Sequence, residues 1–313
     1  MQQQMHEQTT ATWLGLVAVL LWSSLASITT YLTAIPPLQL AAMSFAIAAC
    51  VGFAWARCTG EPLAAIRAVP PGYWLLGVYG LLGYHALYFY SFQHAPALEA
   101  NLLNYLWPLL IVVFSGALPA ALGGRSLRWW HIGGALLGFA GSVLVLWSAG
   151  GGQDGFALAT VGPGHFAAIA AAVIWASYSV GSRLYSAVPS IAVMGTCAAT
   201  SVGAFVASFA FESPVWPSGI VAWTAIMAQG LGPVGLAFYL WDRGMKRGNM
   251  RLVAVGSYAT PLLSSLLLAV LGRAEASPML WLAALLLTLG AALAGADMWL
   301  VPRLRAGNEK RPV

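Results

Sequence analysis

The chain has 313 residues, 60% of them hydrophobic and 7% charged, with a formal net charge of +5. Soluble domains carry about a quarter charged residues, so this composition excludes an ordinary water-soluble domain and points to the bilayer. The positive balance then reads as a membrane-orientation signal and requires no nucleic acid to explain it.

Ten apolar stretches predict an all-α, polytopic membrane protein: Thr12 to Thr33, Leu38 to Ala56, Gly72 to Phe92, Leu98 to Leu118, Arg128 to Trp147, Gly164 to Leu184, Pro189 to Phe211, Gly219 to Trp241, Met250 to Leu271 and Pro278 to Leu300. A hydrocarbon core of about 30 Å needs roughly 20 apolar residues in a helix, and most of these stretches approach that length. The first follows a polar segment, Met1 to Thr10, without Lys or Arg, and is longer than a signal-peptide core, so no cleavage is expected. Trp22 lies mid-helix in this span. A tryptophan at that depth needs a partner for its indole N–H, so it either packs inside the bundle or flanks a pathway.

The third stretch places Tyr84, His85 and Tyr88 at mid-membrane depth, and His85 is the one histidine expected deep in the bilayer. Intramembrane ionisable groups are functional candidates, although a neutral histidine bonded within the bundle is the alternative. On the fourth, Asn101, Asn104, Tyr105 and Pro108 fall at i, i+3, i+4 and i+7, one stripe on one face. An uncompensated amide in hydrocarbon is costly, so that face either bonds to other helices or lines a wet cavity. The sixth carries Trp175, and the ninth carries Ser257, Tyr258 and Pro261. Other tryptophans, such as Trp13, Trp129 and Trp223, fit an interfacial belt. Cys50, Cys58 and Cys197 have no metal-like spacing and predict buried or interfacial thiols without a disulfide.

The chain also repeats itself. A shift of 153 residues lays Trp22 on Trp175, Leu87 and Tyr88 on Leu240 and Trp241, and Tyr105 and Pro108 on Tyr258 and Pro261; near the ends the register slips by one, pairing Gly138 with Gly290. The halves are residues 1–150 and 151–313. Five helices per half means the second copy enters from the opposite side, the inverted repeat typical of secondary transporters with a midplane site. The paired Pro108 and Pro261 are expected to bend two helices that rock during exchange.

The stretches Asn104-Tyr105-Leu106-Trp107-Pro108 and Ser257-Tyr258-Ala259-Thr260-Pro261-Leu262-Leu263-Ser264-Ser265 carry a family resemblance, together with Leu20-Leu21-Trp22-Ser23 and Ile174-Trp175-Ala176-Ser177-Tyr178. The chain resembles the EamA type of the drug/metabolite transporter superfamily, and within it the YddG-type aromatic amino-acid exporters. The resemblance implies a ten-helix exporter of the bacterial inner membrane carrying aromatic amino acids, with some tolerance for other flat organic compounds. Combined with the polar and aromatic pattern, it makes Trp22, Tyr84, His85, Tyr88, Asn101, Asn104, Tyr105, Trp175, Tyr178 and Tyr258 the candidate substrate-binding residues. The runner-up in the same class is an exporter of another metabolite or a cationic drug. From another class, a non-transporting polytopic enzyme or assembly factor would gain nothing from an inverted repeat.

Apparent motifs for other chemistry fail on context. Gly230-Leu-Gly232-Pro-Val-Gly235 matches a dinucleotide fingerprint literally, but lies in an apolar helix with no preceding strand. The chain carries no P-loop and no HExxH, and the acidic residues lie in tails, loops or near helix ends, including Glu99 and Asp242. No cofactor, metal or ATP-binding subunit is implied; the expected partners are a small-molecule cargo and lipid.

Of the fourteen Lys and Arg residues, all but Arg273 belong to even-numbered connections or the C-terminal tail. Positively charged loops stay in the cytoplasm, so both termini are expected there and the loop from Ser148 to Pro163 outside. Single cysteines replacing Gly151 and Gly307, in an otherwise cysteine-free chain, test this with an impermeant thiol reagent on intact cells. Labelling at position 151 but not 307 is expected; the reverse pattern overturns the orientation.

Overall fold

The computed structural model describes residues 2–115, 128–149, 161–185, 187–247, 253, 256–257, 259–273, 277–294 and 296. Among them every regular element is helical, and five stretches are long and apolar enough to cross a membrane: Glu7–Thr29, Pro37–Thr59, Pro163–Gly181, Ala192–Phe211 and Gly219–Gly244. Shorter apolar helices accompany them. The C-terminal tail with Arg303, Arg305, Lys310 and Arg311, and the loop residues 150–160, lie outside the described residues.

Helix α1 (Gln2–Thr29) starts ten residues before the predicted span, because Gln, Met and Glu are compatible with helix and let it continue through the polar segment. Helix α2 (Pro37–Thr59) starts with proline where no N–H is required, and ends at Gly60, whose φ of 71° suits glycine and whose N–H closes on the Ala56 carbonyl. The third predicted span is divided. It consists of α3 (Pro71–Val78), a π-helical turn (Tyr79–Gly83) and α4 (Tyr84–His94). The fourth is divided too, into α5 (Ala97–Asn104) and α6 (Trp107–Ser115). Then follow α7 (Trp129–Ala149), α8 (Pro163–Gly181) and α9 (Ala192–Phe211). The eighth span repeats the interruption of the third: α10 (Gly219–Leu231), a π turn (Gly232–Leu236) and α11 (Ala237–Arg247). Helices α12 (Thr260–Val270) and α13 (Pro278–Ala294) complete the described set.

The two π turns lie 153 residues apart, as do the starts of α4 and α11 and those of α6 and α12. Pro233 has no N–H to give to the carbonyl four residues back, which favours the wider turn there. In the first copy glycine does the corresponding work: a Cβ on Gly77 would run into Thr196, and one on Gly80 into Tyr178. The prolines differ from expectation. They do not bend continuous helices; Pro108 and Pro261 each occupy the second position of a new helix. A proline ring inside a helix clashes with the carbonyl four residues back, and α5 ends at Asn104, four residues before Pro108.

Packing follows the same register. α1 packs on α11 and α12, while α8 packs on α4 and α6; a 153-residue shift exchanges the two sets. α2 pairs with α9 and α7 with α13. At one end of the α2/α9 pair, the Glu212 carboxylate following α9 accepts the N–H groups of Leu38 (2.8 Å) and Gln39 (3.0 Å) at the start of α2. At the other, Glu61 following α2 accepts the N–H of Ile191 (3.1 Å) just before α9. Each carboxylate satisfies donors that a helix start leaves open, and the two caps require α2 and α9 to be antiparallel. Exposed apolar residues such as Ile132, Leu136, Phe139 and Val143 on α7, and Val202, Phe205, Val206 and Phe209 on α9, form the exterior that suits lipid.

Gly138 and Gly290 meet where α7 crosses α13: a Cβ on Gly290 would lie 2.7 Å from the Gly138 nitrogen and 2.8 Å from the Gly134 carbonyl oxygen. Those are backbone atoms and cannot rotate away. Gly290→Leu is therefore expected to destabilise by about 1 to 3 kcal/mol, read as a lower Tm in detergent. Gly203→Ala, whose Cβ would meet only Leu82 at 3.6 Å, is the neutral comparison.

Candidate functional site

Trp22 of α1 and Trp175 of α8 meet edge to face, centroids 6.3 Å apart and planes at 82°. The Trp22 indole N–H donates to the Pro233 carbonyl (3.1 Å), so the π turn of the second half orients the tryptophan of the first. Around the pair, Phe238 lies 5.9 Å from Trp22 and 5.8 Å from Trp175, Trp241 lies 4.9 Å from Trp22, and Trp175 contacts Tyr84 (5.0 Å) and Tyr178 (5.3 Å). Offset and edge-to-face geometry is favoured by the ring quadrupoles, and it leaves ring faces available to a flat guest. Trp22, Trp175 and Tyr178 are only partly buried.

Tyr84, His85 and Tyr88 are buried on α4. His85 Nδ1 lies 2.8 Å from the Leu81 carbonyl, which only accepts, so this nitrogen carries the proton. Its ring is packed against Phe45 (4.7 Å), Tyr84 (4.8 Å) and Phe238 (6.2 Å), which makes His85 part of the aromatic wall with one nitrogen already engaged. Tyr88 stacks on Tyr84 (5.6 Å) and contacts Phe92 (4.9 Å); at 2% exposure it belongs to the packed core behind that wall.

The asparagine stripe lies beside these rings. Asn104 Nδ2 donates to the Tyr84 hydroxyl (3.0 Å), and Asn101 Oδ1 accepts from Ser264 of α12 (3.3 Å). The remaining amide atoms, Asn101 Nδ2 and Asn104 Oδ1, are buried without a partner. Leaving such a group unsatisfied costs about 1 to 3 kcal/mol, so one donor and one acceptor a turn apart are notable. Tyr105, in the break between α5 and α6, packs with Trp107, Ala172 and Trp175. The structure thus groups Trp22, Tyr84, His85, Trp175 and Tyr178 by direct ring contact and brings Asn104 and Tyr105 against them. Tyr258 lies outside the described residues.

Phe238 and Trp241 escaped the residue-by-residue reading because phenylalanine and tryptophan are unremarkable in apolar helices. The 153-residue shift identifies them: it carries His85 to Phe238 and Tyr88 to Trp241. A buried hydrogen bond between a histidine and a carboxylate was also missed. His165 Nδ1 accepts the Gly162 N–H (3.2 Å), leaving Nε2 to donate to Glu99 at 2.8 Å, which ties the start of α8 to that of α5. Both residues lie in the first turns of their helices, where sequence alone names no partner. Among the described residues no cluster of His, Cys, Asp or Glu could hold a metal ion.

The EamA-like transporter family matches this chain twice, over residues 9–147 and 162–296. The chain belongs to the EamA-like transporter family. Like other EamA proteins it is therefore a polytopic membrane transporter and not an enzyme. It is 48% identical over 287 residues to the aromatic amino acid exporter YddG of Ancylobacter novellus, covering 92% of this chain and 97% of that protein. It is 31% identical to the aromatic amino acid exporter YddG of Escherichia coli strain K12, over 94% and 98% of the two chains. A crystal structure of a protein 45% identical to this EamA chain superposes with a TM-score of 0.72, over 95% and 99% of the two chains.

If the orphaned amide atoms serve a ligand rather than the fold, removing them separates stability from activity. Asn101→Leu and Asn104→Leu are expected to lower Tm only modestly, since each deletes an unsatisfied buried polar atom along with one hydrogen bond, to Ser264 or to Tyr84. Transport in proteoliposomes should nevertheless fall about tenfold or more, the loss expected for one ligand hydrogen bond or more. Matching losses of Tm and transport assign both residues to packing alone.

Proposed function

We propose that this EamA protein is a secondary exporter that carries phenylalanine, tyrosine and tryptophan out across the bacterial inner membrane by alternating access. The observation that carries the reading is the pairing of one unsatisfied buried donor and one acceptor, on Asn101 and Asn104, with the ring faces of Trp22, Trp175 and Tyr84. An amino-acid head group offers the matching acceptor and donor, and a flat side chain suits the rings. The likeness to aromatic amino acid exporters at 48% and 31% identity supports the same cargo.

The architecture of this reading is two inverted five-helix halves, residues 1–150 and 151–313, with both termini in the cytoplasm. The double family match, the π turns 153 residues apart and the antiparallel α2 and α9 support the inversion. The cation distribution supports the orientation. The breaks before Pro108 and Pro261, with the two π turns, are the points at which helices can reorient as the site changes sides. Head-group recognition rests on neutral hydrogen bonds worth roughly 0.5 to 1.5 kcal/mol each, so binding is modest, as suits a carrier that must release its cargo. The cargo and lipid are the partners; no ATP-binding subunit, cofactor or nucleic acid takes part.

Proteoliposomes holding only this protein test the reading with labelled phenylalanine, tryptophan, leucine and unrelated metabolites. Saturable phenylalanine and tryptophan flux, at least about tenfold faster than leucine, is expected. Equal rates for leucine and phenylalanine remove the aromatic selectivity, and flux of an unrelated metabolite in place of both assigns the protein another cargo.

A further inference from the structure

Away from the aromatic cluster, a cavity of about 360 Å³ opens among Trp55, Glu61, Ala65, Val188, Ser190 and Arg243. None of its lining residues belongs to the central group. In the proposed orientation this is the cytoplasmic end of the bundle, where the chain leaving α2 meets the segment before α9 and the end of α11. The volume lies within the range of small-molecule sites.

Three features of the cavity point to a ligand. The Arg243 guanidinium lies 5.9 Å over the Trp55 ring, and among the described residues no carboxylate lies within ion-pair distance of it. The Trp55 indole N–H is buried without a partner, although its ring is held by stacking on Tyr239 (5.7 Å, 28°). Glu61 uses Oε2 to cap Ile191, which fixes the carboxylate in the wall and leaves Oε1 for another donor. Asp242 is engaged by the Ser190 hydroxyl at the same place. One small cavity thus presents a cation, an indole donor and a carboxylate.

A zwitterion complements all three. An anionic lipid headgroup would satisfy Arg243 but would bring its phosphate against Glu61, a like-charge contact that disfavours it. We propose that this cavity is a cytoplasmic loading site for an α-amino acid, holding its carboxylate on Arg243 and the Trp55 N–H and its ammonium on Glu61, before it passes to the central aromatic cluster. The inference rests on the amino-acid reading above and adds a second site to it. Its logic is graded affinity. Near the membrane surface, charged partners can strip little water and still select a zwitterion, whereas the neutral centre accepts the cargo and releases it.

Thiol protection reads this site without relying on transport. Ala187, exposed on the rim of the cavity, is replaced by Cys in a Cys50→Ser, Cys58→Ser background, where the remaining Cys197 is buried. In detergent or neutral nanodiscs, L-phenylalanine is expected to slow maleimide modification at position 187 at least threefold. Phenethylamine, which keeps the ring and amine but lacks the carboxylate, gives no protection. Arg243→Gln abolishes protection, Arg243→Lys restores part of it, and Asn104→Leu at the central site leaves it intact. In proteoliposomes Arg243→Gln raises KM for phenylalanine loaded from the cytoplasmic face about tenfold, the loss of one charge-assisted contact, with kcat within about twofold. Protection without any aromatic amino-acid flux by the parent upholds the loading site and sinks the export reading instead. Parental export with no protection, and an unchanged KM in Arg243→Gln, overturns the loading site and leaves export standing. Protection by nanodiscs containing phosphatidylglycerol, with no response to amino acid, also overturns it and makes the cavity a lipid site.

Discussion

A backbone carbonyl or N–H released from its helix inside hydrocarbon has no water to turn to, and the rest of this structure is arranged around that constraint. The spans interrupted by π turns or breaks can be interrupted only where something else takes up the freed groups. The Pro233 carbonyl in one π turn is taken by the Trp22 indole, and the Leu81 carbonyl in the other by His85. Irregular backbone and aromatic side chains therefore occupy the same place for one reason. The rings that a flat cargo would meet are also the groups that make the local departures from α-helix affordable.

Charge obeys the same constraint by staying near the ends. Glu61 and Glu212 each sit at the start of a helix, where open N–H groups and the helix dipole stabilise an anion, and together they fasten α2 to α9 from opposite ends. Glu99 is buried but paired with His165, whose tautomer is set by the Gly162 N–H. The centre holds no carboxylate among the described residues. Its polar groups are amides, hydroxyls and one imidazole, which in the proposed reading would hold a zwitterion without the desolvation cost of a buried ion pair.

The two halves share a backbone plan but not their side chains. The 153-residue shift matches the π turns, the helix breaks and the Trp22/Trp175 pair, yet it sets His85 against Phe238 and Asn104 against Ser257. One half thus contributes most of the described polar groups beside the rings, and the other closes the aromatic wall. In the proposed reading an amphiphilic cargo would meet a polar side and an apolar side within a scaffold whose backbone is nearly repeated.

Much of this was legible in the sequence because it is encoded locally. Hydropathy marked the five helices long and apolar enough to cross a membrane, the shift of 153 residues aligned the π turns and helix breaks, and helical spacing put Asn101 and Asn104 on one face of α5, though not Tyr105, which falls in the break after it; what was legible follows from composition and a 3.6-residue period. The same shift contained Phe238 and Trp241, but an apolar ring in an apolar helix carries no signal until its neighbours are known. The tertiary structure alone decided that the helices break ahead of Pro108 and Pro261, that Glu99 finds His165, that Glu61 and Glu212 cap each other's helices, and that Arg243 comes to rest over Trp55. Those contacts join residues far apart in the chain, and their energies depend on distance and burial, which no local pattern specifies.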